Sequence, residues 1–387
     1  MKNNLTPFFL LFFAMLFSAC NFNSSERLQN RTFENLPQNF EVKHKVIFEN
    51  KTPNILIQVP AFQYFLTLKV FITNEKKKEL IWTSEKEIND SISECLHKFK
   101  LDCNESDFVL EVNVFSTNRQ LLYSDLSLVN NKNGQNTIYL LDENENYLID
   151  DNVKIDTKYR IISTEQSDCN ISYFSSGLSP APPPYSQNEG FFNPKEAEVT
   201  EKLELKNRDF FQFNRTGTYY IYTNDNQENG VFVSVFHKDF PIISQLKDLI
   251  LATRFITKNE EYKKLLNAEN PKTVLDEFWL SRNKNESEAK QLIKTYYNRA
   301  KEANRLFSYA KEGWKTDMGM IFIIFGRPAM VKKFSNKIIW YYSQSAGRGP
   351  VEFVFENRFG QAVLERSENY RDAWNAEILK WRMGKLE

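Results

Sequence analysis

The sequence predicts a multidomain protein in which two antiparallel β-sandwich modules of immunoglobulin-like type precede an α+β C-terminal domain. Short apolar runs, alternating or continuous and rich in β-branched and aromatic residues, recur between residues 41 and 240. After Pro241 the spacing of apolar residues changes from two to about 3.6, which is typical of amphipathic helices. The chain has 387 residues, including 33 phenylalanines and 17 tyrosines, and this is enough apolar surface for several separate cores.

The N-terminus has the pattern of a secretion signal. Lys2 supplies a positive charge, residues 8–17 form an apolar run, and small Ser18 and Ala19 precede Cys20. The apolar run is shorter than the roughly 20 residues that a membrane-spanning helix needs. We therefore predict that the segment is cleaved rather than retained as a transmembrane anchor.

The residues around Cys20 resemble bacterial lipoprotein signals, although Phe17 stands where leucine is usual. This resemblance implies a signal peptide over residues 1–19, lipidation of Cys20 and attachment to the outer membrane through acyl chains. Residues 20–40 are rich in Asn and Ser and predict a flexible tether. The acidic residues that mark surface export in Bacteroidota lipoproteins are missing after Cys20, so we expect the periplasmic face.

We assign the first β module to residues 41–130 and the second to residues 131–240. Runs such as 65–72 and 231–236 have the length and composition of strands. Exposed aromatic side chains on one sheet would instead indicate carbohydrate or peptide binding by these modules.

A proline-rich segment, residues 179–185, interrupts the second module. Its sequence Ser-Pro-Ala-Pro-Pro-Pro-Tyr favours a polyproline II conformation, which cannot join a central strand. It could dock on an aromatic groove, but we interpret it as a stiff connecting loop.

Three further cysteines fit no zinc-site spacing. Cys95 and Cys103 are close enough in sequence for a loop-closing disulfide in an oxidising compartment. The alternative is that these two and Cys169 are buried thiols.

We assign residues 241–387 to a helical segment followed by the α+β domain. The third helix has a clear start, because Asn285 can cap it and Glu288 can complete a capping box. The predicted elements are helices near residues 242–250, 274–279 and 289–307, strands at 320–325, 338–342, 351–355 and 362–364, and a closing helix at 369–382.

A compact motif precedes the first of these strands. Thr316 and Asp317 can accept hydrogen bonds from nearby backbone amides, Gly313 and Gly319 permit positive φ, and Trp314 can bury a large apolar surface. Together these residues predict a structural corner between a helix and a strand. No histidine lies near Asp317 in sequence, and a lone carboxylate is weak support for catalysis.

The C-terminal third resembles the GWxTD domain, found in envelope proteins of Bacteroidota. Residues 313–317 read Gly-Trp-Lys-Thr-Asp and are followed by Gly319, an apolar segment, Gly326 and Pro328. The likeness extends over about residues 274–364. It implies an envelope lipoprotein of a family whose function is uncertain.

Three residues are candidates for partner binding. Arg327 lies in the turn between Gly326 and Pro328, Arg348 lies in a glycine-rich loop, and Trp340 lies on a strand. Arginine is enriched at interfaces because its guanidinium forms forked hydrogen bonds and stacks on rings.

A looser likeness links the same region to small outer-membrane lipoproteins of the β-barrel assembly machinery. The succession Gly326-Xaa-Pro328, Trp340-Xaa-Tyr342 and Phe353-Xaa-Phe355 carries it. Those proteins place a helix before the turn, whereas the apolar run before Gly326 predicts a strand.

Composition and motifs exclude several functions. With 50 basic and 50 acidic residues, the chain has no net positive charge that would attract nucleic acid. No catalytic, metal-binding or cofactor-binding motif is complete, and no small-molecule substrate is indicated. We predict a non-catalytic binding or scaffolding role among envelope protein partners. The alternative is a cell-envelope hydrolase that uses carboxylates such as Asp317 with Glu352.

Overall fold

The computed structural model describes most of the chain after residue 41. The signal peptide, the tether, Cys20, Cys103 and Arg348 lie outside the described residues. The described residues are 42–49, 52–59, 66–74, 79–88, 95–101, 107–130, 138–149, 152–164, 166–175, 178–188, 197–224, 226–282, 285–334, 337–343, 350–358 and 361–385.

The chain is mostly β-sheet, with a helical C-terminal region. The described strands form five sheets. Among the described residues, no helix combines the length and the apolar character needed to cross a bilayer.

The first β module consists of a three-stranded sheet, in the order β1-β2-β5, and a four-stranded sheet, in the order β4-β3-β6-β7. One core joins them, to which Ile55 and Ile57 contribute from one sheet and Leu68 and Val112 from the other. The strands are β1 (Lys43–Glu49), β2 (Thr52–Val59), β3 (Leu66–Asn74), β4 (Leu80–Ile88), β5 (Cys95–Lys100), β6 (Asp107–Ser116) and β7 (Leu121–Asn130).

The second β module repeats this plan with sheets β13-β10-β8 and β12-β11-β14-β15-β9. Ile161, Phe213, Ile221 and Val233 belong to its shared core. The strands are β8 (Ile138–Leu141), β9 (Asn152–Lys154), β10 (Lys158–Ser163), β11 (Cys169–Ser175), β12 (Glu201–Leu205), β13 (Phe210–Gln212), β14 (Gly217–Thr223) and β15 (Asn226–Phe236).

Helices and a four-stranded sheet share one core in the C-terminal region. The helices are α1 (Leu246–Ala252), α2 (Asn259–Leu266), α3 (Pro271–Leu280), α4 (Glu286–Phe307), α5 (Asp317–Phe325) and α6 (Arg371–Arg382). The strands are β16 (Met330–Lys333), β17 (Lys337–Tyr342), β18 (Val351–Arg358) and β19 (Gln361–Leu364). The predicted cap of α4 is confirmed, since the Asn285 side chain accepts a hydrogen bond from the Ser287 amide at 2.9 Å.

The strand predicted at residues 320–325 is wrong, because these residues belong to helix α5. The first eight residues of this helix are buried, so it is apolar on every face and shows no 3.6-residue period. A helix therefore precedes the glycine–proline turn. The difference that separated this region from the small assembly-machinery lipoproteins disappears, but the likeness concerns element order and carries no function.

The described cysteine side chain is a buried thiol. Cys169 is free and 1 % exposed, and burial raises the pKa of its thiol to about 11. The choice between a disulfide and two thiols at Cys95 and Cys103 lies outside what the structure describes, because neither the Cys95 side chain nor Cys103 is among the described atoms.

Candidate binding site

The Gly-Trp-Lys-Thr-Asp motif forms a turn that starts helix α5. A 3-10 turn, Gly313–Lys315, leads directly into the helix. The Thr316 hydroxyl donates to the Gly313 carbonyl at 2.7 Å and accepts from the Gly319 amide at 3.0 Å. Thr316 is therefore the helix N-cap, which confirms its predicted hydrogen bonding to the backbone.

Two glycines allow three backbone segments to meet at this turn. A Cβ atom on Gly313 would lie 1.9 Å from the Ala303 carbonyl oxygen of α4, and one on Gly319 would lie 1.8 Å from the Gly313 carbonyl oxygen. Neither glycine has the positive φ that the sequence suggested; Gly326 does, at 81°. Close backbone approach is therefore the reason for glycine at positions 313 and 319.

Trp314 fixes the turn against α4. Its indole is 1 % exposed and its backbone amide donates to the Asn304 side-chain oxygen at 3.1 Å. Asn304 in turn donates from its side-chain nitrogen to the Pro241 carbonyl at 3.0 Å. The motif thus ties α4 to the segment that leaves the second β module.

Asp317 is buried, and both oxygens of its carboxylate accept hydrogen bonds from other residues. Its side chain is 3 % exposed and pairs with Arg366, whose side chain is 7 % exposed. Oδ2 also accepts from the Leu364 amide at 2.9 Å and from the Arg366 Nη1 at 3.2 Å, while Oδ1 accepts from Nη2. The carboxylate therefore connects the start of α5 to the end of strand β19 through Oδ2, and to Arg366 beyond it through both oxygens.

The proline-rich residues 179–185, here called the strap, lie against this pair. Arg366 Nη2 donates to the Pro182 carbonyl at 3.2 Å, and the Ser367 amide donates to the Pro184 carbonyl at 3.1 Å. The Ala181 amide donates to the Lys315 carbonyl at 2.8 Å. The strap is thus docked on the C-terminal domain, which goes beyond the connecting loop that the sequence suggested.

The far end of α5 is closed by a half-buried arginine, Arg299. Arg299 Nη1 donates to the carbonyls of Ile323 and Ile324 at 3.0 and 3.3 Å, and the Trp381 indole N–H also donates to Ile324 at 3.0 Å. Burial lowers the pKa of the Arg299 guanidinium. Gly326 follows with its carbonyl bonded to the Tyr342 hydroxyl at 2.9 Å.

The structure separates the predicted partner-binding residues. Arg327 is exposed, at 59 % of its side chain, and pairs with Glu302; Pro328 follows it before β16. Trp340 is only 4 % exposed and packs on Phe355 with ring centroids 5.0 Å apart. Trp340 is therefore part of the core and offers no surface to a partner, because its side of the alternating strand β17 faces inward.

A cleft of about 1200 Å³ lies beside the motif. It is lined by the strap, by residues 216–218 and 235–237 of the second β module, by α1, by the turn before Trp314 and by α6. Lys311 and Lys315 stand in its lining at 7 % and 5 % exposure. Lys311 Nζ donates to the Ser179 carbonyl at 3.3 Å, and burial lowers the pKa of its ammonium to about 8.

Sequence reasoning missed Arg366, Lys311 and the docked strap. Arg366 lies 49 residues from Asp317 and 184 from Pro182, so no local pattern could join them. A buried acid in the motif was itself the signal to seek a cation, since buried charges are paired.

Fold and site define a β-rich protein whose C-terminal region carries a tightly packed Gly-Trp-Lys-Thr-Asp turn. A GWxTD domain is found at residues 217–383, which begins earlier than the residue 274 expected from the motifs and takes in the whole of β14 and β15. No curated protein matches the chain.

Proposed function

We propose that this protein is a non-catalytic outer-membrane lipoprotein of Bacteroidota type, a binding or scaffolding component of a cell-envelope complex. Outer-membrane protein assembly, secretion and gliding are the processes that such a component would serve. The observation that carries the proposal is the bonding of the Asp317 carboxylate, the acidic group of the motif. Arg366 and the Leu364 amide donate hydrogen bonds to both of its oxygens, which supports a structural role for the motif.

A hydrolytic role would need a carboxyl group that reaches substrate and exchanges protons. Asp317 is 4 % exposed and ion-paired, which is unfavourable for that task. Glu352 is exposed on β18, on the face opposite the buried Phe353, as alternation predicts. Among the described residues, no hydrogen bond or ion pair joins Glu352 to Asp317.

The arrangement of strands supports two immunoglobulin-like sandwich modules in series. In such folds, strands A, B and E form one sheet, and strands C, F and G form the other, with C′ added at its edge. The orders β1-β2-β5 and β4-β3-β6-β7 correspond to A-B-E and C′-C-F-G. The orders β8-β10-β13 and β12-β11-β14-β15 repeat this correspondence, with β9 added parallel to β15.

The proposed location of the protein at the outer membrane is inferred from the N-terminal signal. Acyl chains on Cys20 would hold the protein on the outer membrane, and residues 20–40 would let the modules extend from it into the periplasm. Modules in series give reach, and the cleft beside the motif gives a surface for a partner.

Crosslinking in cells followed by purification in mild detergent tests this proposal. We expect the same envelope proteins in repeated preparations of the wild-type protein, and their loss after Cys20→Ser, which prevents lipidation. Repeated isolation of the membrane-bound protein alone would count against a scaffolding role.

A further inference from the structure

The cleft beside the motif has an unusual balance of charge. The whole chain is neutral, with 50 basic and 50 acidic residues. Five lysine or arginine side chains line the cleft against two carboxylates. The basic residues are Lys247, Arg254, Lys258, Lys311 and Lys315, and the acidic ones are Asp248 and Glu312.

The two acids do not cancel this excess. Glu312 already pairs with Lys315 at 2.8 Å. Asp248 is the one acid of the lining that remains, against four remaining basic side chains, and burial raises the pKa of its carboxyl. Lys247 and Lys258 are exposed, so their ammonium groups can meet an incoming ligand. The charge of the cleft therefore favours a ligand that carries carboxylates.

The remaining lining mixes apolar and polar groups. Ile242, which is 53 % exposed, and half-buried Ile243 both line the cleft, so the lining offers large apolar side chains to a ligand. Ser179, Asn259 and Asn375 belong to the same lining and supply its polar groups. This mixture suits a peptide, which offers apolar and polar groups in turn, better than a lipid chain.

We propose that the cleft binds an extended acidic peptide segment of a partner protein, with Lys247 and Lys258 engaging its carboxylates and Ile242 and Ile243 contacting its apolar side chains. The volume of about 1200 Å³ exceeds that of ordinary small-ligand pockets and accommodates several residues. The inference rests on the proposed scaffolding function and names the chemistry of its partner.

Binding of defined peptides tests the chemistry. The probe is a fluorescein-labelled eight-residue peptide in which aspartate alternates with phenylalanine, and its control carries asparagine in place of aspartate. Reversing the two exposed charges with Lys247→Glu and Lys258→Glu should weaken binding of the acidic peptide about tenfold, the effect of roughly 1.4 kcal/mol lost from two surface ion pairs.

A matched variant controls for overall charge. Lys263→Glu with Lys294→Glu makes the same change at exposed positions outside the cleft, and we expect it to leave binding unchanged. Equal losses in the two double variants, or equal binding of the two peptides, would overturn the proposal.

Photocrosslinking in cells separates this inference from the proposed function. A photoreactive residue at Ile242, inside the cleft, is compared with one at Leu379, which is 56 % exposed outside it. We expect a partner adduct from position 242 that the Lys247→Glu and Lys258→Glu changes abolish. An adduct from position 379 alone would be consistent with the proposed scaffolding function but would refute the cleft as the docking site. The absence of any adduct from both positions would refute both.

Discussion

Removing the guanidinium of Arg366 should destabilise the C-terminal domain strongly. In the Arg366→Ala variant the Asp317 carboxylate, whose side chain is 3 % exposed, would keep the Leu364 amide but lose its countercharge. The Pro182 carbonyl of the strap would lose a hydrogen bond as well. Breaking one side of a buried ion pair costs about 3–5 kcal/mol, because a desolvated charge is left behind.

Chemical unfolding, followed by the fluorescence of buried Trp314 and Trp381, measures this loss. Arg358→Ala is the control, because its partner Glu356 lies in a more exposed pair and such pairs contribute about 0–1 kcal/mol. Equal losses of unfolding free energy in the two variants would refute the reasoning. Adding Asp317→Asn to Arg366→Ala should restore part of the stability, since it removes the unpaired charge.

Three other predictions follow from packing and ionisation. Gly319→Ala should prevent the turn from closing, because its Cβ would lie 1.8 Å from a backbone oxygen; we expect a loss of about 3 kcal/mol or more in unfolding experiments, and a loss below 1 kcal/mol would contradict the packing argument. The pKa of Lys311 is lowered to about 8 from the ordinary 10.5, so the unfolded chain binds the proton more tightly, and wild type should gain stability relative to Lys311→Met as pH rises from about 8 to 10.5. A difference between the two proteins that does not change over that range would refute it. Hydrogen bonds from Arg382 lower the pKa of Glu261 to about 2 from 4.5, so its contribution to stability is present above pH 4.5 and is lost as pH falls toward 2. Glu261→Gln should therefore be less stable than wild type at pH 6 and nearly equal to it at pH 2, as measured by thermal unfolding, whereas a constant difference would contradict the assignment.

The sequence reveals those parts of the fold in which one face is buried and the other is solvated. Strand β3 alternates buried and half-buried residues over most of its length, and α4 shows both a helical apolar stripe and its cap at Asn285. Helix α5 was missed because all its faces are apolar. Helix α2 was also missed; it has eight residues, and Leu265 is its only buried one. Periodicity requires a contrast between faces, and α5 offers none.

The candidate site also contains some contacts that the sequence could predict and others that it could not. The local role of Thr316 as a cap could be predicted, since its partners lie within three residues of it. The partner of Asp317 and the docking of the strap could not, because they depend on tertiary contacts between distant segments. Trp340 was assigned to a partner surface because sequence alternation gives two faces of a strand without saying which is buried.

The most direct test of a non-catalytic role is a neutral replacement of the buried ion pair. Asp317→Asn with Arg366→Gln removes the carboxylate and its countercharge but keeps groups that can hydrogen-bond to the Leu364 amide and the Pro182 carbonyl. Complementation of a deletion strain by this double variant is the measurement, with correct folding and membrane attachment verified in the same cells. We predict full complementation and unchanged crosslinked partners. A folded, membrane-attached variant that keeps its partners but fails to complement would show that Asp317 does chemistry, and would contradict the account.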